Sequence, residues 1–493
     1  MNIKEWKEAR IKNEEIGKFI TGGKYFINPE EINGHLAAEK IPSRDRVREI
    51  LQKSLSVETL TMEETACLLN VEDREILEEM KETAAEVKKK VYDNRIVTFA
   101  PLYMGNYCVN DCKYCGFRCS NRGVVRKVLS LEEVAKETEV LAGKIGHKRL
   151  ITVYGEHPAN DIDYIIDTIK TVYKVKVKTK YGCGQIRRIN VNAPPFAMDD
   201  LVKLHEAGIG TYQVFQETYH PSTYSSVHPA GTLKGNYPWR LYVMHRAMEA
   251  GIDDVGMGVL FGLYDWKFEV MGLVAHDREL EQCFGIGAHT VSFPRIDPAI
   301  ETPYSDNPPF RVSDEDFKKL ITVIRLAIPH TGMIITARET AAIRNDALSL
   351  GITQTDASTR IGIGAYTREK DSDTADKQQF ILGDMRSLDQ VIREFADRGY
   401  ITSFCTAGYR CSRTGKCIME LLRSGQEGKF CKLNAVLTFR EWLNDFASEQ
   451  TRAIAEPLIN KEISEIREQQ PGVYPSFMEY YKRIEKGERD LYF

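Results

Sequence analysis

The sequence predicts an α/β protein built on a (β/α)8 barrel, with a helical N-terminal extension and a mainly helical C-terminal domain. Short β-rich runs alternate with helical stretches from about residue 95 onward, and such alternation implies a parallel sheet. Eight of these repeats occupy about 260 residues, the size of a closed barrel. Polar clusters follow the predicted strands, as expected for a barrel whose active residues lie at the carboxyl ends of its strands.

The first segment, residues 1–90, is predicted to be helical. Apolar residues recur at steps of three and four in Met62–Leu69 and in Arg74–Met80, which is the helical period. Ser43 and Thr61 precede such stretches, and we expect both to cap the helices that follow.

The barrel is predicted to span residues 91–370. Its eight strands are predicted at Ile96–Leu102, Arg149–Tyr154, Ile186–Asn192, Thr211–Glu217, Asp254–Phe261, His289–Pro294, Met333–Arg338 and Ile352–Asp356. The connecting helices include Leu131–Ala142, Met198–Ala207, Leu241–Ala250, Phe268–Phe284 and Asp314–Ile328. The polar clusters after the strands are expected to share one rim of this barrel.

A group of three cysteines follows the first predicted strand. Cys108, Cys112 and Cys115 have the spacing C-x3-C-x2-C. Three thiolates can hold three irons of a 4Fe–4S cluster and leave the fourth iron open to a small ligand. The alternatives are a zinc site or a closed four-cysteine cluster that includes Cys119, but zinc prefers paired C-x2-C arms. A disulfide loop is less favoured, because 11 cysteines in 493 residues is not the density of a small secreted scaffold.

The overall composition is that of a soluble globular protein, with 42% hydrophobic and 28% charged residues. The net charge of −4 argues against nucleic acid as the main partner. No apolar run approaches the ~20 residues that cross a membrane. The charged N-terminus has no signal-peptide core, so we expect a cytoplasmic protein.

The C-terminal domain, residues 371–493, contains a second group of cysteines. A polar linker is predicted at 367–377, and the tail beyond residue 438 has the pattern of amphipathic helices. Cys405, Cys411, Cys417 and Cys431 lie within 27 residues of one another and form a second candidate metal site.

From about Val97 to Asp445 the chain resembles the HydG-like radical S-adenosylmethionine (SAM) tyrosine lyases, which are FeFe-hydrogenase maturases. It resembles the ThiH-like 2-iminoacetate synthases more distantly. The matching blocks are Pro101–Phe117, Phe215–His220, Gly251–Asp265, His289–Arg295, Gly383–Leu388, Gly399–Ala407 and Phe430–Leu443.

The resemblance implies a reaction. SAM bound to the open iron yields a 5′-deoxyadenosyl radical, and cleavage of the tyrosine Cα–Cβ bond gives p-cresol and dehydroglycine. HydG-like proteins convert dehydroglycine further, to CO and cyanide for H-cluster assembly.

The resemblance also implies roles for single residues. Cys108, Cys112 and Cys115 would hold the SAM cluster, while Tyr114 and Phe117 would lie against the adenine. Glu156 would contact the SAM amino group, and the alternative is a surface glutamate at a strand end. Arg338 would bind the substrate carboxylate, and the alternative is a salt bridge at the rim. Further candidates are Glu217 as a catalytic residue, Arg240 at the cofactor or the substrate carboxylate, and Arg295 as a weaker carboxylate ligand.

The sequence departs from the family at the second cysteine group. The family pattern is C-x2-C with a third cysteine after 22 residues, and Cys405 and Cys431 match it, but Gly408 stands in the middle position. Either Cys405, Cys411 and Cys431 hold a shifted second cluster, Cys417 being another substitute, or no second cluster forms. His276 is aligned with the family histidine that binds an additional iron, and the alternative is a structural histidine.

Three functions remain open at this point. The first is a tyrosine lyase that continues to CO and cyanide if the second cluster forms. The second is a related lyase that stops at dehydroglycine or acts on another amino acid. The third is a non-catalytic iron–sulfur scaffold. The expected partners are an amino acid substrate, an electron donor such as flavodoxin or ferredoxin, and hydrogenase maturation proteins.

Overall fold

A computed structural model describes residues 3–20, 22–368, 378–411, 413–424 and 427–493. The predicted linker at 367–377 lies almost entirely outside these ranges. None of the helices in the described ranges combines the length and apolar character that a membrane span requires.

Eight parallel strands close into the predicted barrel, because β1 pairs with both β2 and β10. The barrel strands are β1 (Arg95–Gly105), β2 (Arg149–Tyr154), β5 (Arg188–Asn192), β6 (Tyr212–Gln213), β7 (Val255–Gly258), β8 (Thr290–Ser292), β9 (Gly332–Ile335) and β10 (Gln354–Asp356). A small antiparallel hairpin, β3 (Val177–Lys178) and β4 (Cys183–Gly184), was not predicted. Several strands end earlier than predicted, and their last predicted residues, Glu217 and Arg338 among them, belong to the loops at the rim.

Helices surround the barrel between its strands. They are α7 (Leu131–Glu139), α8 (Ile162–Lys174), α9 (Met198–Glu206), α10 (Pro221–Val227), α11 (Tyr237–Leu241), α12 (Val243–Glu249), α13 (Trp266–Phe284), α14 (Pro303–Asp306), α15 (Asp314–Ala327) and α16 (Ala341–Ser349). The apolar faces of these helices and the outward side chains of the strands form one large core.

In the described part of residues 3–92, six helices precede the barrel. They are α1 (Ile3–Glu8), α2 (Glu14–Gly17), α3 (Pro29–Ala38), α4 (Arg44–Leu55), α5 (Met62–Leu69) and α6 (Arg74–Tyr92). Ser43 accepts from the Arg46 amide at the start of α4, and Thr61 forms a capping box at the start of α5, so both predicted caps are confirmed. The helices α5 and α6 pack against α13 and α15, which joins the extension to the outside of the barrel.

Where the structure describes the C-terminal region, it is mainly helical and contains one strand. Its helices are α17 (Leu388–Asp397), α18 (Gly415–Arg423), α19 (Glu427–Asp445), α20 (Glu449–Gln469) and α21 (Tyr474–Glu485). Between α17 and α18, the strand β11 (Ile401–Ser403) pairs in parallel with the first residues of β1, a contact that the sequence did not predict. This pairing places the second cysteine group at the amino-terminal end of the barrel, opposite the rim that carries the first group.

Candidate functional site

The three-cysteine loop lies at the mouth of the barrel. Cys108, Cys112 and Cys115 all line one cavity, and residues at or beyond the carboxyl end of every barrel strand line it too. Asn110 holds the loop in place: its side-chain amide donates to Glu156 at 2.5 Å, and its side-chain oxygen accepts from the Lys234 backbone at 2.9 Å. The position of the loop is therefore set by contacts with two other rim segments.

The three thiols form a donor set that suits iron. The Asn110 backbone donates to Cys108 Sγ at 3.5 Å, and Gln379 donates to Cys115 Sγ at 3.6 Å. Such hydrogen bonds to sulfur are one means by which proteins adjust iron–sulfur clusters. Burial raises the pKa of Cys108 to about 11, so metal binding at this site would release a proton.

The disulfide loop and the four-cysteine cluster with Cys119 find no support in the geometry. All eleven cysteines fall within the described ranges, and all are free of disulfides. Cys119 is exposed and is not among the residues that line the cavity, so it does not offer a fourth ligand there.

Two aromatic residues and a carboxylate lie beside the thiols. Tyr114 is buried, and its hydroxyl is 2.7 Å from Nε2 of His228. Phe117 is also buried against the cavity. Glu156 is only 6% exposed and accepts the Asn110 amide, so it is a buried acceptor at the cavity and not the surface glutamate of the alternative interpretation.

Glu217 and two cations form a second polar group in the cavity. Lys234 Nζ lies 2.6 Å from Glu217 Oε1, and Arg240 Nη2 lies 3.5 Å from the same oxygen. Burial raises the pKa of Glu217, but the charges of Lys234 and Arg240 outweigh it, so the pKa is lower than usual. Lys234 was missed by the sequence analysis, because it lies on a short turn in a long loop that matches no motif.

Arg338 lies on the rim beyond β9 and lines the same cavity. Its guanidinium stacks on Phe380, 3.3 Å from the ring centroid, and Nη1 lies 3.5 Å from Asp297 Oδ2. Burial is the main reason that the pKa of Asp297 rises to about 6, while Arg338 lowers it. The stacking holds the guanidinium plane in one orientation. The contact with Asp297 is long and therefore weak, so a better-placed acceptor would replace it.

Arg295 forms ion pairs outside the cavity. It pairs with Glu339 and, at 2.8 Å, with Asp314. It is not among the residues that line the cavity. The weaker suggestion that Arg295 binds a substrate carboxylate is therefore not supported, since its donors already have acidic partners.

A smaller cavity lies at the second cysteine group. Cys405, Gly408 and Cys431 line it together. Arg188, at the start of β5, donates to the Cys405 carbonyl at 3.1 Å, which connects this cavity to the amino-terminal end of the barrel. Cys405 has a φ of 45°, an uncommon conformation for a residue with a side chain.

The geometry does not support Cys411 as the third ligand of this group. Its thiol points to the Phe493 carbonyl at 3.6 Å, and Cys411 is not among the residues that line the cavity with Cys405 and Cys431. Gly408 occupies the middle position of the family pattern, where the family has a cysteine. Among the described residues, two thiols therefore face this cavity, fewer than the three that anchor an open cluster.

His276 is placed away from both cysteine groups and lines neither cavity. It is buried on α13, where Nδ1 lies 2.9 Å from the Tyr219 hydroxyl and the ring packs against Phe26. The expectation that it binds a metal beside Cys405 is thus not supported. At that end of the barrel, His289 lies 3.8 Å from Asp254, which itself pairs with Arg188. The sequence analysis had not singled out His289 as a ligand.

Comparisons with known proteins agree with this architecture. The model of the Radical SAM superfamily matches residues 102–272, and that of the Biotin and Thiamin Synthesis associated domain matches residues 292–401. A crystal structure of HydG, described as a maturase of the [FeFe]-hydrogenase, has a TM-score of 0.89 and 46% identity, covering 95% of this chain and 100% of that one. HydG from Carboxydothermus hydrogenoformans has a TM-score of 0.75 and 34% identity, covering 96% of this chain and 99% of its own. The 2-iminoacetate synthase of Escherichia coli (strain K12) is 29% identical over 338 residues, 68% of this chain and 82% of the relative.

Proposed function

Since this chain belongs to the HydG family of radical SAM enzymes, we propose that it cleaves the Cα–Cβ bond of tyrosine. The products are p-cresol and dehydroglycine. Because the 5′-deoxyadenosyl radical would take one hydrogen from tyrosine, the p-cresol fragment would gain one electron and one proton in its place. The observation that carries the proposal is that the three-thiol loop and Arg338 line the same cavity. The proposed ligands of the cluster and the proposed receptor of the substrate carboxylate would therefore face each other across one space.

The chain's own residues would hold the cofactors at one end of this cavity. Cys108, Cys112 and Cys115 would anchor a 4Fe–4S cluster, which together with SAM and one electron supplies a 5′-deoxyadenosyl radical. Glu156, positioned by Asn110, would accept a charge-assisted hydrogen bond from the SAM ammonium. Tyr114 and Phe117 would offer aromatic faces to the adenine.

Other residues would hold the tyrosine. The guanidinium of Arg338 is a planar fork that matches two carboxylate oxygens, and Phe380 keeps that plane in position. Glu217 is kept ionised by Lys234 and Arg240, so it would receive the substrate ammonium through a charge-assisted hydrogen bond. Apolar side chains of the barrel interior, including Phe99, Ile151 and Ile334, would keep water from the reacting atoms.

We further propose that the reaction stops at dehydroglycine. The conversion to CO and cyanide for H-cluster assembly would need a second cluster, and two thiols with Gly408 between them leave such a cluster short of protein ligands. An external donor of the flavodoxin or ferredoxin type would supply two electrons per turnover, one to cleave SAM and one to reduce the p-cresol fragment. Partners in hydrogenase maturation are not required for this part of the reaction. The non-catalytic scaffold is less well supported, because Glu156, Glu217 and Arg338 would have no role in it.

Product analysis tests the proposal. The protein is reconstituted with iron and sulfide under anaerobic conditions and incubated with SAM, a reductant and ¹³C-labelled tyrosine. We expect 5′-deoxyadenosine and p-cresol in equal amounts, with label in dehydroglycine or its hydrolysis product and none in CO or cyanide.

Each of the other outcomes would reject one part of the proposed function. Formation of 5′-deoxyadenosine without p-cresol would show that the substrate is not tyrosine. Absence of both would favour the scaffold. Labelled CO or cyanide would show that the second cavity supports chemistry despite Gly408.

A further inference from the structure

A third group of metal-binding side chains lies outside both cysteine cavities. His245 on α12 faces Glu279 and Cys283 on α13, and one ligand atom from each lies within 4.8 Å of the other two. Glu279 and Cys283 are four residues apart on one helix, so their side chains share a face. The packing of α12 on α13 brings the imidazole to that face.

The distances in this group resemble those in a tetrahedral zinc site. His245 Nε2 lies 3.8 Å from Glu279 Oε1, and Cys283 Sγ lies 3.7 Å from the same oxygen. Zinc bonds of about 2.0–2.3 Å at tetrahedral angles separate neighbouring ligand atoms by about 3.4–3.6 Å. These two distances exceed the tetrahedral values by a few tenths of an ångström, and the third separation, between His245 and Cys283, is within 4.8 Å. Small side-chain movements would therefore bring the three atoms to bonding distance of one ion.

The state of His245 is an independent indication that a ligand belongs here. Its side chain is 0% exposed, and among the described residues neither ring nitrogen has a hydrogen-bond partner. A buried polar group without a partner is costly. The contact with Glu279 at 3.8 Å is too long to be a hydrogen bond.

The surroundings of His245 also suit a metal ligand. The ring is packed against Phe19, 4.8 Å between centroids, and against Phe26, Tyr242 and Phe284. Burial lowers the pKa of His245, so the imidazole is neutral near pH 7, and the neutral form is the one that binds metals.

We propose that His245, Glu279 and Cys283 bind a zinc ion, with water as the fourth ligand. Thiolate, imidazole and carboxylate are all zinc ligands. A single cysteine is too few for an iron–sulfur cluster. Cys283 is exposed and Glu279 is partly exposed, which gives the ion a path from solvent. Because His245 touches Phe19 and Phe26, the ion would tie α12 and α13 to the N-terminal segment and stabilise their packing.

Zinc content tests the proposal on the full-length reconstituted protein, in which the cluster cysteines are filled. Wild type, Cys283→Ser and Cys417→Ser are dialysed against buffered Zn²⁺ and analysed for zinc per chain. Cys417 is a matched control because it is also exposed and lies on α18. We expect Cys283→Ser to hold one zinc ion fewer than the other two proteins.

Two further measurements identify the ligands. X-ray absorption at the zinc edge should show one sulfur at about 2.3 Å and nitrogen or oxygen ligands at about 2.0–2.2 Å. Zinc should also raise the unfolding temperature of the wild type and of Cys417→Ser, but not that of Cys283→Ser.

The proposal would be overturned by equal zinc content in all three proteins or by the absence of zinc from the wild type. A zinc site with no sulfur ligand, or with four, would also overturn it. His245→Gln, whose side chain is in the core, serves only as a second variant, with a zinc affinity expected to fall by about tenfold or more. Because Cys283 is exposed, its replacement leaves the fold intact and keeps the test decisive.

Discussion

The ammonium of Lys234 lies 2.6 Å from the carboxylate of Glu217, and this contact joins two loops at the mouth of the barrel. Glu217 has a φ of 72°, a conformation that costs a residue with a side chain about 1–3 kcal/mol and persists only where the surroundings hold it. The same lysine lies 5.5 Å from the Tyr114 ring and, through its backbone, holds Asn110 of the three-cysteine loop. Lys234 therefore connects Glu217, the proposed receptor of the substrate ammonium, with the proposed cluster loop.

Replacing Lys234 by methionine should raise the pKa of Glu217. Burial already raises it, and Lys234 is the largest of the charges that lower it. A carboxylate with a lowered pKa stabilises the fold at pH above its unfolded value, and this contribution is lost as the pH falls through the folded pKa. In Lys234→Met this contribution shrinks, so the variant should be less stable than the wild type at neutral pH and should lose less stability on acidification. The acid limb of p-cresol formation should move to higher pH, because Glu217 takes up its proton there. Lys234→Arg is the control that keeps the charge. A Lys234→Met profile identical to the wild type would show that Glu217 does not depend on Lys234.

Cys112→Ala should abolish SAM cleavage, because the cluster would lose one of its three proposed anchors. The measurement is iron content after reconstitution together with 5′-deoxyadenosine formation under reductant. Cys119→Ala is the matched control, since Cys119 belongs to the same loop but is exposed and outside the cavity. Full activity in Cys112→Ala, or a loss in Cys119→Ala equal to that in Cys112→Ala, would contradict the assignment of the ligands.

Arg338→Met should weaken tyrosine binding while leaving the cofactor side intact. The loss of hydrogen bonds to a charged group is worth about 1.5–3 kcal/mol, which corresponds to roughly a tenfold to hundredfold increase in KM for tyrosine. We expect 5′-deoxyadenosine to form without a matching amount of p-cresol. Arg338→Lys keeps the charge but loses the planar fork, and it should recover only part of the activity. An unchanged KM in Arg338→Met would leave Arg338 as a salt bridge of the rim with Asp297.

Gly408→Cys should create the missing ligand of the second cavity. A Cβ at Gly408 would meet its nearest neighbour, the Arg413 carbonyl oxygen, at 3.4 Å, which is ordinary contact. The new thiol would share the cavity with Cys405 and Cys431, so we expect iron after reconstitution to rise from about four to about eight per chain. Gly408→Ser is the control for side-chain volume and should keep the wild-type iron content.

Cys411→Ala tests whether Cys411 is a ligand of the shifted second cluster. Because the Cys411 thiol contacts the Phe493 carbonyl and lies outside the cavity, its removal should leave iron content unchanged. A loss of about four irons in Cys411→Ala would show that the loop rearranges to form the shifted cluster.

The sequence by itself determined the barrel, the helical N-terminal segment and the first cysteine group, and each depends on short-range pattern. Strand and helix periods lie within single elements, and the three cysteines occupy eight consecutive positions, so their closeness needs no tertiary contact. Matching blocks between Pro101 and Leu443 carried the resemblance to the HydG family, which the comparisons confirm. Arg338 and Glu217 could be assigned to the rim because each is the last residue of a predicted strand.

Only the tertiary structure decided which distant segments meet. Lys234 reaches Glu217 from a loop without regular pattern, β11 joins β1 from three hundred residues away, and His245 meets Cys283 through the packing of two helices. The same cause separates residues that looked related in sequence, since Cys411 turns away from Cys405 and His276 is held in the core by Tyr219. Contacts of this kind depend on how the barrel closes and how its helices pack, and no local spacing in the chain encodes them.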